Sequence, residues 1–208
     1  MSRQNRSGAP EFVDYSRLTD QEVVVLARQG REAAFRELIG RYERPVFSLI
    51  YRLVRHREKA EDLSQETFIK VLNALDRYDS SYKFSSWIFK IAHNTALDLL
   101  RKKELDTLSL DGSPHAETQS EVDATTVTAV SDEESPEDFA ASRELGHVLE
   151  RAIGTLRPEY RTAIVLCHVE GRPYEEIAEI MNVPLGTVKT YIHRARNELK
   201  HQLEHLRC

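Results

Sequence analysis

Lys189, Thr190, His193, Arg194, Arg196 and Lys200 are cations and hydrogen-bonding groups crowded into twelve positions near the C-terminus. At about 100° per residue, Lys189, Thr190, His193, Arg196 and Lys200 fall opposite the narrow apolar face of Val188, Ile192, Ala195 and Leu199. Such a helix face can meet base edges and phosphates. A second group, Trp87, Lys90, Ile91, Asn94, Asp98 and Arg101, forms a stripe on a helix predicted from about Ser85 to Lys103. It follows five clustered aromatics, Tyr78, Tyr82, Phe84, Trp87 and Phe89. Bases drawn from a duplex stack on aromatic rings while cations hold the phosphates. Aromatics near a helix start also serve simply as core, and both readings stand. A third group, Glu61, Asp62, Gln65, Glu66 and Lys70, makes the polar side of a predicted helix, either a solvated face or a docking face. His201, His205 and Cys208 share a helical face and could hold zinc with Cys167 or His168, or form a frayed end. Glu144-x-x-His147 and Glu198-x-x-His201 have the spacing of half a di-iron site, but the facing glutamates are not evident and one pair lies on the basic helix. No cofactor and no catalytic residue are expected.

Several elements must position these groups. Tyr174 to Lys200 reads as two helices joined by Asn182-Val183-Pro184-Leu185. Asn tolerates the left-handed exit of a helix, Pro blocks its continuation, and Thr187 is expected to cap the next helix. Ile177, Ala178 and Met181 should face inward. The pattern is a helix-turn-helix whose second helix would enter a major groove N-terminus first; the plainer alternative is a helical hairpin with a solvated basic face. Upstream, Thr19-Asp20-Gln21-Glu22 is a capping box opening a helix that ends near Gly30. Arg31 to Arg55 continues helically, and Pro45 should kink it or start a new helix. A helix over 58–75 should bury Leu63, Phe68, Val71, Leu72 and Leu75. Ser135 and Pro136 begin a helix to about Ile153, and Leu156 to Val169 forms another before Gly171.

The composition suits a water-soluble globular chain, 40% hydrophobic and 30% charged. It has no apolar run long enough for a transmembrane helix and no signal peptide at its N-terminus. Two cysteines fit a reducing cytoplasm. The net charge of −5 hides a split. Residues 104–138 hold 11 acidic residues and no Lys or Arg, so the rest carries 29 basic and 23 acidic residues, a net of +6. Residues 104–136 lack a helical repeat and read as a flexible acidic linker. Its 33 residues reach roughly 30 Å as a coil and on the order of 100 Å extended. Residues 1–17 read as a disordered tail. The expected fold is all-α, with helical domains over 18–103 and 137–208 on either side of the linker. A simple helix-turn-helix regulator is the alternative; it would need a ligand or receiver domain, and no strand–helix alternation appears.

Three stretches carry a resemblance: AEDLSQETFIKVLNAL (60–75), FSSWIFKIAHNTALDLLRK (84–102) and LRPEYRTAIVLCHVEGRPYEEIAEIMNVPLGTVKTYIHRARNEL (156–199). In this order, around an acidic linker, they resemble bacterial RNA polymerase sigma factors of the extracytoplasmic-function (ECF) type. The resemblance implies sigma regions 2 and 4 as the two domains. It implies that Asp62, Gln65 and Glu66 dock on the coiled coil of the polymerase's largest subunit. It implies that Ala74, Tyr78, Ile91 and Asn94, with Trp87 and Lys90, meet a melted −10 element, one non-template base being flipped out. Asn94 suits reading that base edge, since an amide both donates and accepts. Lys189, Thr190 and His193 would read −35 base edges, while Arg194, Arg196 and Lys200 hold phosphates. Lys189 stands where many relatives carry arginine, which implies a weaker or shifted guanine preference. An anti-sigma factor would clamp the free protein, placing it in the cytoplasm or tethered at the inner face of the membrane. A separate expectation from the charge split is that Asp132, Glu133 and Glu134 fold back on the recognition helix.

Overall fold

A computed structural model describes residues 13–109 and 136–204, with side chains over 13–102 and 143–204. Eight α-helices and no strand are found among the described residues. They are α1 (Asp20–Arg28), α2 (Glu32–Val54), α3 (Arg57–Ala74), α4 (Phe84–Ser109), α5 (Pro136–Thr155), α6 (Pro158–His168), α7 (Tyr174–Met181) and α8 (Leu185–Leu203). Residues 1–12 and 110–135, and with them most of the expected tail and linker and Asp132, Glu133 and Glu134, lie outside the described residues.

The first module packs α1, α3 and α4 around α2. Helix α1 opens with the capping box: Thr19 Oγ1 accepts from the Glu22 N–H, and Glu22 accepts from the Thr19 N–H at 2.8 Å. Gly30, at φ +80°, then turns the chain in a conformation that favours glycine. Helix α2 runs through Pro45 as one element, so the proline does not start a new helix. A proline inside a helix removes one backbone bond, at about 3 kcal/mol. Tyr42, Val46, Leu49, Ile50 and Leu53 are buried along this helix and offset that loss. The residues just before α1 are ordered too: Tyr15–Arg17 form a 3₁₀ turn, and the Tyr15 carbonyl accepts from Arg41 at 2.7 Å.

Helix α3 buries Ala60, Leu63, Ser64, Thr67 and Val71. Leu72 was expected inside but is 53% exposed, and Ile69 is 59% exposed. The buried hydroxyls explain the difference. Ser64 and Thr67 donate to the carbonyls of Ala60 and Leu63 four residues back, which lets polar residues occupy the packed face. Helix α4 extends six residues beyond its expected end, to Ser109.

In the second module, α8 packs on α6 and α7 through Val188, Ile192 and Ala195. Asn182 takes the left-handed conformation at φ 54°, closing α7. Helix α8 begins at Leu185 with Pro184 as its cap position, three residues earlier than the expected cap. Thr187 therefore lies inside the first turn, not at the cap. Ile180 takes the fully buried place expected for Met181, which is half-buried.

The two modules touch. Helix α7 lies on α4, and α5 and α6 lie on α2. Arg161 bridges them: its guanidinium donates to Leu53 O at 2.9 Å on α2, and to Gly154 O at 2.6 Å and Leu156 O at 2.8 Å at the end of α5. One side chain thus satisfies carbonyls at two helix C-termini, which otherwise lack partners. Arg52 pairs with Glu150 at 2.7 Å, and Ser48 donates to Glu170 at 2.9 Å.

Candidate nucleic-acid interfaces

Helix α8 presents its polar face outward. Lys189, Thr190, His193, Arg194, Arg196 and Lys200 are all exposed. Their freedom differs. Lys189 makes no ion pair among the described residues. Thr190 donates its hydroxyl to Gly186 O at 2.9 Å but can still accept. Arg194 donates to the Tyr160 hydroxyl at 3.1 Å, and the Tyr160 ring lies 5.5 Å from that of Tyr191. Arg196 donates to His168 Nε2 at 3.1 Å. Burial, and then the nearby Arg196 charge, hold His168 below its ordinary pKa, as befits an acceptor. His193 and Asn197 pair at 3.1 Å, and Lys200 faces Glu204 at 3.8 Å. The arginines are thus braced on α6 while Lys189 stands free near the N-terminal end.

The second surface lies where α3 passes into α4. Trp87, Lys90 and Ile91 are half-buried on α4, Asn94 is exposed one turn further on, and Ala74 is half-buried at the end of α3. Tyr78 differs from its expected role as a base-facing ring: it is only 3% exposed. Its hydroxyl donates to Tyr82 O at 2.5 Å, and its ring meets Phe84 edge-on at 5.5 Å and Trp87 at 5.1 Å. The aromatic cluster is therefore both core and surface. Tyr42, Phe84 and Phe89 fill the interior, and Trp87 is its rim.

Helical periodicity gives α4 two faces, the stripe above and a packing face of Ile88, Ala92, Thr95, Ala96 and Leu99, and leaves a third unmarked. Ser86, Phe89 and His93 are buried on it. The second module covers this side. Arg172 sits 4.8 Å over the Phe89 ring, and Glu176, buried on α7, pairs with Lys83 and lies 3.7 Å from Arg172. The only signal was Phe89 itself, apolar yet outside the packing face. Burial drives His93 to a pKa of about 4, with Arg101 adding to the effect, so the ring is neutral.

Asp62, Gln65 and Glu66 are exposed on α3. Gln65 lines a groove of about 760 Å³ between α2 and α3, floored by Ile39, Phe47, Phe68 and Ile69 and edged by Glu43, Glu61 and Arg57. Asp62 and Glu66 lie outside its lining, and Glu66 pairs with Lys70 at 2.7 Å. The surface is more apolar than its sequence suggested, because Ile69 and Leu72 stand beside the carboxylates.

Among the described residues, no three His, Cys, Asp or Glu side chains group to hold a metal ion. His205 and Cys208 lie outside the described residues; Cys167 is half-buried, and burial pushes its thiol pKa up. No described helix is long and apolar enough to cross a membrane.

Family models for sigma-70 region 2 and sigma-70 region 4 match residues 38–105 and 147–199. The chain is 36% identical to the ECF RNA polymerase sigma factor SigW of Bacillus subtilis over 182 residues, 86% of this chain and 94% of that protein. It is 34% identical to the ECF RNA polymerase sigma-E factor of Haemophilus influenzae over 194 residues, 91% of this chain and 97% of that one. Among solved structures, the fold is similar to CnrH in complex with the cytosolic domain of CnrY, with a TM-score of 0.63 and 24% identity over 89% of this chain and 97% of that one. It is also similar to RpoE of Bartonella quintana in complex with the anti-sigma factor NepR, with a TM-score of 0.61 and 24% identity over 82% of this chain and 96% of that one.

Proposed function

The chain belongs to the ECF family of RNA polymerase sigma factors, and we propose that its two modules divide promoter recognition between them. Residues 18–103 act as region 2, residues 137–208 as region 4, and residues 104–136 as the connector. The observation that carries this reading is the pair of outward faces, one basic on a helix-turn-helix and one aromatic and amide on α4. They suit different states of DNA. The α8 face fits a duplex major groove, where Lys189, Thr190 and His193 meet base edges and Arg194, Arg196 and Lys200 hold phosphates. The Trp87–Asn94 stripe, with Lys90, Ile91 and Ala74, fits bases already unstacked. Flipping costs a few kcal/mol, which stacking on Trp87 and hydrogen bonds from Asn94 offset. Tyr78 supports that platform from beneath.

The groove beside Gln65, with Asp62 and Glu66 at its margin, docks the coiled coil of the polymerase's largest subunit. Docking holds both modules at a fixed separation, so the second DNA contact forms at high effective concentration. The action is binding and strand separation, with no covalent chemistry and no catalytic residue. The solved neighbour RpoE, in complex with the anti-sigma factor NepR, supports an anti-sigma partner here, one that covers the polymerase-docking surface of the free factor in the cytoplasm.

Run-off transcription tests this reading. Polymerase core is supplied with a template library randomised over the −35 and −10 segments, with and without the chain. The expected result is selection of a bipartite promoter only when the chain is present. Sequence-specific duplex binding by the chain alone, with no effect on polymerase, would instead establish a stand-alone helix-turn-helix regulator.

A further inference from the structure

We propose that Arg28, on α1 and outside every surface described above, is a positioning residue for the −10 platform. This inference rests on the reading of α4 as the single-strand surface. The segment 75–83 links Ala74 to the α4 stripe, and its shape sets where Trp87 lies. Most of it is exposed, so it needs fixed points. Arg28 supplies them at the inner end. Its Nε donates to Leu75 O at 2.9 Å, and its Nη2 donates to Tyr78 O. Its guanidinium also lies 5.7 Å from the centre of the Tyr78 ring. One planar fork thus spans the 3₁₀ turn Leu75–Arg77 from its first carbonyl to that of its C-cap, Tyr78, and reinforces the turn's own bond from the Tyr78 N–H to Leu75 O at 3.2 Å. Gln21, two turns earlier on α1, donates to Ser80 O at 3.2 Å at the tip. Helix α1 therefore straps the segment at two points.

The strap reaches the proposed stacking surface through contacts. Arg28 fixes Tyr78, and Tyr78 packs on Trp87 at 5.1 Å and on Phe84 at 5.5 Å. Helix α1 is anchored separately, by Val23 and Val24, which are 0% and 1% exposed. Arg28 itself is exposed, so its removal leaves the core filled. The guanidinium geometry matters as well as the charge: a lysine ammonium cannot bridge two carbonyls as a planar fork.

The test uses full-length holoenzyme and a fluorescent non-template −10 strand from the promoter selected above. Arg28→Ala is expected to weaken strand binding tenfold or more and to flatten the preference for the flipped base. Core affinity, −35 duplex binding and the unfolding midpoint should match wild type. Arg28→Lys should fall between the two. Equal strand affinity and base preference in Arg28→Ala and wild type would overturn the proposal. So would a parallel loss of core binding and −35 binding, which would mark a general structural role. Should Arg28→Ala not fold, Arg28→Lys decides: reduced base preference with intact core binding supports the role, and unchanged preference overturns it. A wild-type holoenzyme that ignores the strand would overturn the parent reading together with this one.

Discussion

Lys189 stands free on the outward side of α8, whereas Arg194 and Arg196 are braced on Tyr160 and His168. A free cation near the helix start can adjust to a base edge, and braced ones suit fixed phosphate contacts. Replacing Lys189 with alanine should cost about 1–3 kcal/mol in promoter affinity and relax preference at one position, read by competition binding of the holoenzyme. Lys200→Ala should weaken all duplexes alike and reduce the salt slope by about one. His93 sets a different test. Its native pKa of about 4 lies below the ordinary 6.5, so the unfolded chain takes up a proton first as pH falls. Its contribution is fully present above pH 6.5 and is lost progressively down to about pH 4, a change of about 3 kcal/mol at most. Denaturant titrations across that window should show the slope, and His93→Leu should flatten it. The outward residues of α8 were legible from sequence because a helical period sorts them. His93 was not, because a lone histidine carries no mark of what covers it.

At the scale of elements, the α7–α8 turn and the α3 surface behave differently. Asn182 holds a left-handed conformation that costs other L-residues roughly 1–2 kcal/mol. Asn182→Val should lower the stability of the second module by about that amount, while Asn182→Gly should leave it within a few tenths of a kcal/mol, both read by chemical denaturation. On α3, Ile69 is 59% exposed at the groove. Ile69→Asp should therefore weaken polymerase binding tenfold or more with little change in the unfolding midpoint, as pull-down titration and thermal melting would record. The Thr19 capping box, the left-handed Asn182 exit and the helix order were readable because each has a local chemical cause. The exposed Leu72 and the buried Ser64 and Thr67 were not. A hydroxyl that donates to its own helix looks polar in sequence while packing as a small core residue.

At the scale of the molecule, the two modules lie against each other through Arg161, Arg52–Glu150, Ser48–Glu170 and the group around Glu176. Promoter elements centred at −35 and −10 are separated by about 85 Å of duplex at 3.4 Å per base pair. A compact body of this many residues is only roughly 40 Å across. The proposed division of promoter recognition therefore predicts that the packed arrangement opens on polymerase. Arg52→Glu sets two carboxylates against each other at the interface. It should lengthen the distance between fluorophores placed on α2 and α8 in the free chain, without changing that distance in the holoenzyme. The sequence showed two modules and hid these contacts, because they are made by polar and charged side chains, which read as solvated surface.

The most direct test pairs two variants with two DNA fragments, each bound to holoenzyme. Asn94→Ala should lose affinity for the −10 single strand and keep the −35 duplex; Lys189→Ala should do the reverse. If both variants lose both fragments equally, or neither loses either, the two faces do not read DNA in separate states and the account fails.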